Sequence, residues 1–158
     1  MRPYADTNFL VRLYLDLPGT DDAVDLVRGE VGGFEAGLPV GWLHRVELMN
    51  ALLLYVFLSR QGRGPRVTRE MADAAHASFR ADLKSNSFLR ASDVGVSELE
   101  TGFEQLALRH TASHGFRTYD LLHVAGALLS NCDEFWSFDT KARKLAELEG
   151  LSVSRISW

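Results

Sequence analysis

The apolar positions of this chain switch repeatedly between a period of two and a helical period, and that alternation predicts its layout. Pro3-Tyr4-Ala5 is a short extended run ending at Asp6, and Asn8 to Leu15 then follows a helical pattern. Asp16-Leu17-Pro18-Gly19-Thr20 interrupts it, with Thr20 placed to cap a helix from Asp21 to about Glu30. Gly32, Gly33 and Gly37 mark a loop, Leu38 to Trp42 a second short strand, and His44 to Ser59 a long helix. Val46, Leu48, Met49, Leu52, Leu53, Tyr55 and Val56 cover much of that helix's circumference, more than one core-facing stripe. A face of it is therefore expected to bury against a second copy of the chain.

Gly62, Gly64 and Pro65 make the segment from Arg60 to Arg69 a loop, and it carries four arginines. Thr68 caps a helix to about Asn86, on which Met71, Ala75, Phe79 and Leu83 recur every four residues. Leu89 to Val94 is a weak strand. Ser97-Glu98-Leu99-Glu100 has capping-box spacing and opens a helix to about His114. Asp120 heads the next helix, which is apolar nearly all round and so is expected to be buried. Glu134 to Phe138 forms a strand ending on Asp139; Thr140 to Glu149 is the last helix, stopped by Gly150; Leu151 to Ile156 closes as a strand. Strands alternating with helices predict a three-layer α/β/α domain around a mostly parallel sheet, one domain over residues 1–158.

Composition narrows the class. A chain of 158 residues, 46% hydrophobic and 24% charged, can bury a core without disulfides or structural metals. Its single cysteine, Cys132, excludes an internal disulfide and a cysteine-based zinc site, and reads as a small buried residue. The longest apolar stretch, Leu48 to Leu58, contains Asn50 and is too short for a bilayer, which needs about 20 residues. With no signal-peptide pattern after Met1, a cytoplasmic protein without membrane attachment is expected. The net charge of -4 gives no footprint for broad nucleic-acid binding, so any such contact must be local or metal-mediated.

The candidate chemistry lies in the acids. Asp6 and Asp139 follow strands, and Asp120 heads a helix. In a parallel sheet, strand ends and the following helix starts share one edge, so these three are expected to converge. Glu47 joins them if its helix starts at that edge. Gathering carboxylates is costly: two unit charges about 4 Å apart repel by about 4 kcal/mol at an effective dielectric of about 20. A hard divalent cation such as Mg²⁺ or Mn²⁺ resolves that repulsion, and beside a phosphate it activates water and neutralises developing charge. An acid at a buried helix N-terminus also has an ordinary reading, its attraction to the macrodipole. A phospho-aspartyl phosphatase would need an acid where Asn8 stands, and a dinucleotide site would need glycines after the first strand. No serine sits in an elbow motif, and Cys132 has no evident partner.

Tyr4-Ala5-Asp6-Thr7-Asn8, Val46-Glu47-Leu48-Met49-Asn50-Ala51-Leu52, Arg117-Thr118-Tyr119-Asp120-Leu121-Leu122-His123-Val124-Ala125 and Ser137-Phe138-Asp139, in this order, resemble the PIN-domain nucleases. The chain is similar in particular to VapC-type toxins of bacterial toxin–antitoxin pairs, over essentially its whole length. The resemblance implies a PIN-like fold and a metal-dependent endoribonuclease that hydrolyses RNA phosphodiester bonds. It implies a homodimer held inactive by a VapB-type antitoxin. It implies that Asp6, Glu47, Asp120 and Asp139 hold Mg²⁺ or Mn²⁺, directly or through water, supported by Thr7, Asn8 and Ser137, with Asp139 the most variable of the four acids in the family. The alternative is a PIN module that binds RNA or a partner protein without cleaving.

Several residues have two readings. Arg63 and Arg66, in the arginine-rich loop, belong to a solvated turn or to an RNA grip that offsets the acidic whole. Arg117 either touches a substrate phosphate or pairs with a site carboxylate. His123, one turn beyond Asp120, reads as a hydrogen-bonded core histidine ahead of a metal ligand. Trp42, Trp136 and Trp158 read as core or interface residues.

Overall fold

The computed structural model describes residues 1–30 and 37–154. The expected loop at Gly32 and Gly33, the end of the closing strand at Arg155 and Ile156, and Trp158 lie outside the described residues.

Strand β1 (Pro3–Ala5) leads into α1 (Thr7–Tyr14) and α2 (Thr20–Glu30); β2 (Leu38–Val40) leads into α3 (Trp42–Arg60) and α4 (Arg69–Ser85). After β3 (Leu89–Ala91) come α5 (Val96–His114) and α6 (Thr118–Leu129), then β4 (Glu134–Trp136), α7 (Thr140–Leu148) and β5 (Ser152–Val153). Every strand pairing is parallel: β1 with β4, β4 with β5, and β2 with β3. β1 also lies beside β2, so the strands read across as β3-β2-β1-β4-β5.

At the β1–β2 seam a side chain does the bridging. The Gly41 N–H donates to His44 Nδ1 at 3.1 Å, so Nε2 keeps the ring proton and donates it to the carbonyl of Ala5 at 2.9 Å. Burial holds this imidazole down to about 3, neutral in the working pH range.

The period of two within the strands divides the core. Tyr4 and Phe135, cross-strand partners with rings stacked 5.8 Å apart, face one layer, with Leu106, Leu121, Val124 and Leu145 of α5, α6 and α7. Ala5 and Trp136 face the other, with Phe9, Leu10, Leu48, Leu52 and Phe79 of α1, α3 and α4. Trp136 and Phe135 are fully enclosed, and Cys132 is buried as expected, its thiol pushed up to about 11 by that burial. Helices thus cover both faces of a parallel sheet, the three-layer α/β/α arrangement expected from the sequence. Among the described residues no helix is long and apolar enough to cross a membrane.

Three local expectations shift. Trp42 belongs to the first turn of α3 rather than to the strand before it. The cap at the start of α5 is built two residues earlier than Ser97 and Glu100: Gly95 is the N-cap, and Glu98 accepts its N–H at 2.9 Å. Asp120 is the third residue of α6 rather than its first, with Arg117 as the N-cap. Along α3, Leu48, Leu52 and Val56 form the buried stripe, while Val46, Met49, Leu54 and Phe57 remain exposed.

Candidate active site

The strand order reverses at the seam between β1 and β4, the position where open parallel sheets present ligands beyond their carboxyl edge. Asp6 follows β1 and Asp139 follows β4, so the two acids flank that seam. Asp6 is the N-cap of α1, and its Oδ1 accepts the Phe9 N–H at 2.8 Å. Its Oδ2 accepts the Ser137 hydroxyl at 2.5 Å, and Ser137 Oγ in turn accepts the Asp139 N–H at 2.9 Å. One buried serine therefore fixes both acids.

Asp139 caps α7 through Oδ1, which accepts the N–H groups of Lys141 at 2.8 Å and Ala142 at 3.3 Å; its Oδ2 takes Arg117 Nη2 at 2.7 Å. Asp120 Oδ2 accepts the Arg117 N–H at 3.0 Å, and the guanidinium Nε stands 3.6 Å away. Arg117 thus pairs with site carboxylates in this state.

Glu47 joins because α3 starts at the same edge. Its Oε2 accepts the Thr7 hydroxyl at 2.9 Å and meets His123 Nε2 at 2.5 Å. With the carboxylate accepting, Nε2 is the donor, and Nδ1 meets the Tyr4 hydroxyl at 3.1 Å. Tyr4, His123 and Glu47 form a relay from β1 through α6 to α3, buried at its first two members and opening on the cleft at Glu47. Gly126 admits it: a Cβ there would meet the Tyr4 hydroxyl at 2.7 Å.

Asp6, Glu47, Asp120 and Asp139 line one cleft of about 180 Å³, together with Thr7, Asn8, Arg117, Tyr119 and His123. Asn8 reaches the wall, but its side-chain oxygen and carbonyl accept from Arg12, whose guanidinium lies 4.5 Å over the Phe138 ring. Arg63 and Arg66 are elsewhere: they follow the far end of α3, whose length from Glu47 to Arg60 is about 20 Å. The structure does not bring them to the cleft.

Burial pushes the Asp6 carboxyl from 3.8 up to about 6, against the pull of nearby His123 and the Ser137 and Phe9 hydrogen bonds, with Glu47 pushing the same way as burial. A carboxylate held under such pressure, in a cleft whose other acids supply only oxygen donors, fits a hard divalent cation. Among the described residues no three acidic, histidine or cysteine groups converge closely enough to share an ion; Glu47 is turned to His123, and Asp120 and Asp139 to Arg117.

Tyr4 and Gly126 escaped the sequence reading. An isolated glycine inside an apolar helix does signal a close approach. Nothing in the sequence named the hydroxyl that approaches.

No protein-family model matches this sequence, and no curated protein matches it. The fold does match: the chain is similar to VapC20 of Mycobacterium tuberculosis, a toxin that cleaves the sarcin–ricin loop, with a TM-score of 0.58 and 17% identity. The likeness covers 90% of this chain and 93% of that one. The architecture is thus a PIN-like α/β/α fold, shared with that toxin.

The Asp6 shift has a consequence for the metal-free protein. A raised folded-state value contributes stability that is present below 3.8 and lost as pH rises through about 6. Full ionisation therefore costs at most about 3 kcal/mol. Asp6→Asn, which can still cap α1, is expected to melt at the same temperature as the native protein near pH 4. By pH 8 it should be the more stable of the two. Thermal melts in EDTA across that range check this, and a native protein more stable than the variant at pH 8 would contradict it.

Proposed function

We propose that this protein is a metal-dependent endoribonuclease of the VapC type, the toxin of a toxin–antitoxin pair. The observation that carries this reading is the meeting of four acids, distant in sequence, in one cleft at the switch point of a VapC-like fold. Asp6, Glu47, Asp120 and Asp139 would hold Mg²⁺ or Mn²⁺, directly or through water. When bound, the ion supplies a Lewis acid that activates water and neutralises charge on the phosphoryl oxygens.

The residues around it have separable tasks. Ser137 keeps Asp6 and the Asp139 backbone at a fixed spacing across β1 and β4. Thr7 and His123 aim Glu47, and Tyr4 fixes the His123 ring, an outer shell of the kind that orients ligands. Arg117, two-thirds exposed, can leave Asp139 once an ion satisfies the acids and turn to a substrate phosphate. Both readings of Arg117 then describe successive states of one side chain. Tyr119, exposed at the mouth, offers a ring on which a base can stack.

The exposed apolar face of α3 supports a homodimer, with Leu54 and Phe57 about half accessible in the single chain. RNA is the proposed substrate, and a VapB-type antitoxin the proposed inhibitory partner. The fold and the absence of a membrane-crossing helix among the described residues agree with a cytoplasmic location.

Purified, antitoxin-free protein incubated with total cellular RNA and Mg²⁺ or Mn²⁺ should give discrete fragments. These should vanish with EDTA and fall by at least about 100-fold in rate with Asp6→Asn or Asp120→Asn. Cleavage that persists in either variant would remove the acids from the mechanism. No cleavage by folded protein would favour a module that binds RNA or a partner without cutting. Sedimentation should show a dimer at micromolar concentration and a monomer for Leu54→Asp with Phe57→Asp. A native monomer would reject the interface.

A further inference from the structure

A second groove, of about 720 Å³, opens between α3, α4 and β3. His76, Arg80 and Lys84 recur every four residues on α4, so they share one face at steps of about 6 Å along the axis. Arg45 of α3 lines the same groove, with the buried ring of Phe79 and with Ala91. Among the described residues none of the ion pairs involves Arg45, Arg80 or Lys84, although the chain has 21 acidic side chains against 17 Lys and Arg. Like charges gathered without counter-ions repel, and only Lys84, in the last turn of α4, has a helix dipole to offset that cost.

Its position gives it a use. Arg45 stands two residues before Glu47, which at a helical spacing points it to the opposite side of the same first turns of α3. The acidic cleft and the basic groove therefore flank one helix, about 10–12 Å thick with its side chains. A polyanion with one phosphate in the cleft and its chain crossing the first turns of α3 at Val46, about 12 Å along the axis from Leu54, reaches the groove within a few residues of its own length. The groove's donors are guanidinium, ammonium and imidazole groups, which suit phosphate oxygens, the target of most such contacts to nucleic acid.

We propose that the groove formed by Arg45, His76, Arg80 and Lys84 binds the phosphate backbone of the RNA substrate outside the scissile bond. The grip is local and sequence-neutral, and it reconciles an acidic protein with a polyanionic ligand. It rests on the reading of the cleft as a ribonuclease centre, and binding and cleavage are therefore measured separately.

The probe is a labelled, mixed-sequence single-stranded RNA oligonucleotide, followed by fluorescence anisotropy over a range of salt concentrations in the Asp6→Asn background. Arg80→Gln with Lys84→Gln should weaken binding and flatten the slope of log affinity against log salt by about 0.7 for each phosphate no longer neutralised. With Asp6 intact, the same pair should raise KM and leave kcat unchanged. Arg28→Gln with Lys144→Gln removes equal charge from α2 and α7 and should leave the slope as it was. An unchanged slope in the groove variant, or equal weakening by both pairs, overturns the proposal. Groove-dependent binding by a native protein that cuts no RNA would uphold the groove and reject the nuclease reading.

Discussion

The carboxylate of Asp6 sits where the chain leaves its first strand, almost wholly removed from water, and much else is arranged around the cost of that burial. Its two oxygens take the backbone N–H of Phe9 and the hydroxyl of Ser137, and still the carboxyl stays near 6 rather than 3.8. A surface acid would need none of this support. The support comes from both sides of the β1–β4 seam, so the site's charge and the sheet's central pairing depend on the same few atoms.

The same arrangement extends outward. Phe9, whose N–H caps onto Asp6, packs against Trp136 and Phe138 on either side of Ser137. Tyr4, one strand residue removed from Ala5, faces the opposite layer and carries the relay through His123 to Glu47. His44 ties α3 to the carbonyl of Ala5, so the helix bearing Glu47 is anchored to the strand that leads into Asp6. Asp6 and Asp139 share the buried Ser137, and Glu47 is aimed by the buried Thr7 and His123, whereas Asp120 is met by the exposed Arg117. For three of the four acids the rigidity needed to hold like charges together is therefore supplied by packing.

Most of this was legible in the sequence for a definite reason. Strand ends and helix starts share an edge in a parallel sheet, so Asp6, Asp120 and Asp139 could be brought together from periodicity alone. The long α3 helix, Thr68 as a cap and the Gly150 stop are also local patterns, and local patterns survive without coordinates. Less legible were the partners that long-range packing selects. His123 read as a hydrogen-bonded core histidine, and it is buried and hydrogen-bonded, but its partner is Glu47, which periodicity cannot show. The arginines of the α3–α4 loop drew notice because they are adjacent in sequence, whereas Arg45, Arg80 and Lys84 gather only when α3 and α4 fold back on each other. The β1–β2 seam, bridged by a side chain, had no sequence signature at all.

The central claim is that the four acids exist to hold a divalent cation, and calorimetric titration of Mn²⁺ into the metal-free protein tests it most directly. Saturable binding is expected in the native chain, weaker as pH falls through about 6 because Asp6 must give up a proton. Asp6→Asn and Asp120→Asn should abolish it. His123→Ala, which removes only the group that aims Glu47, should weaken it by about 10- to 100-fold. Equal Mn²⁺ affinity in the native protein and in Asp6→Asn would contradict the account at its root.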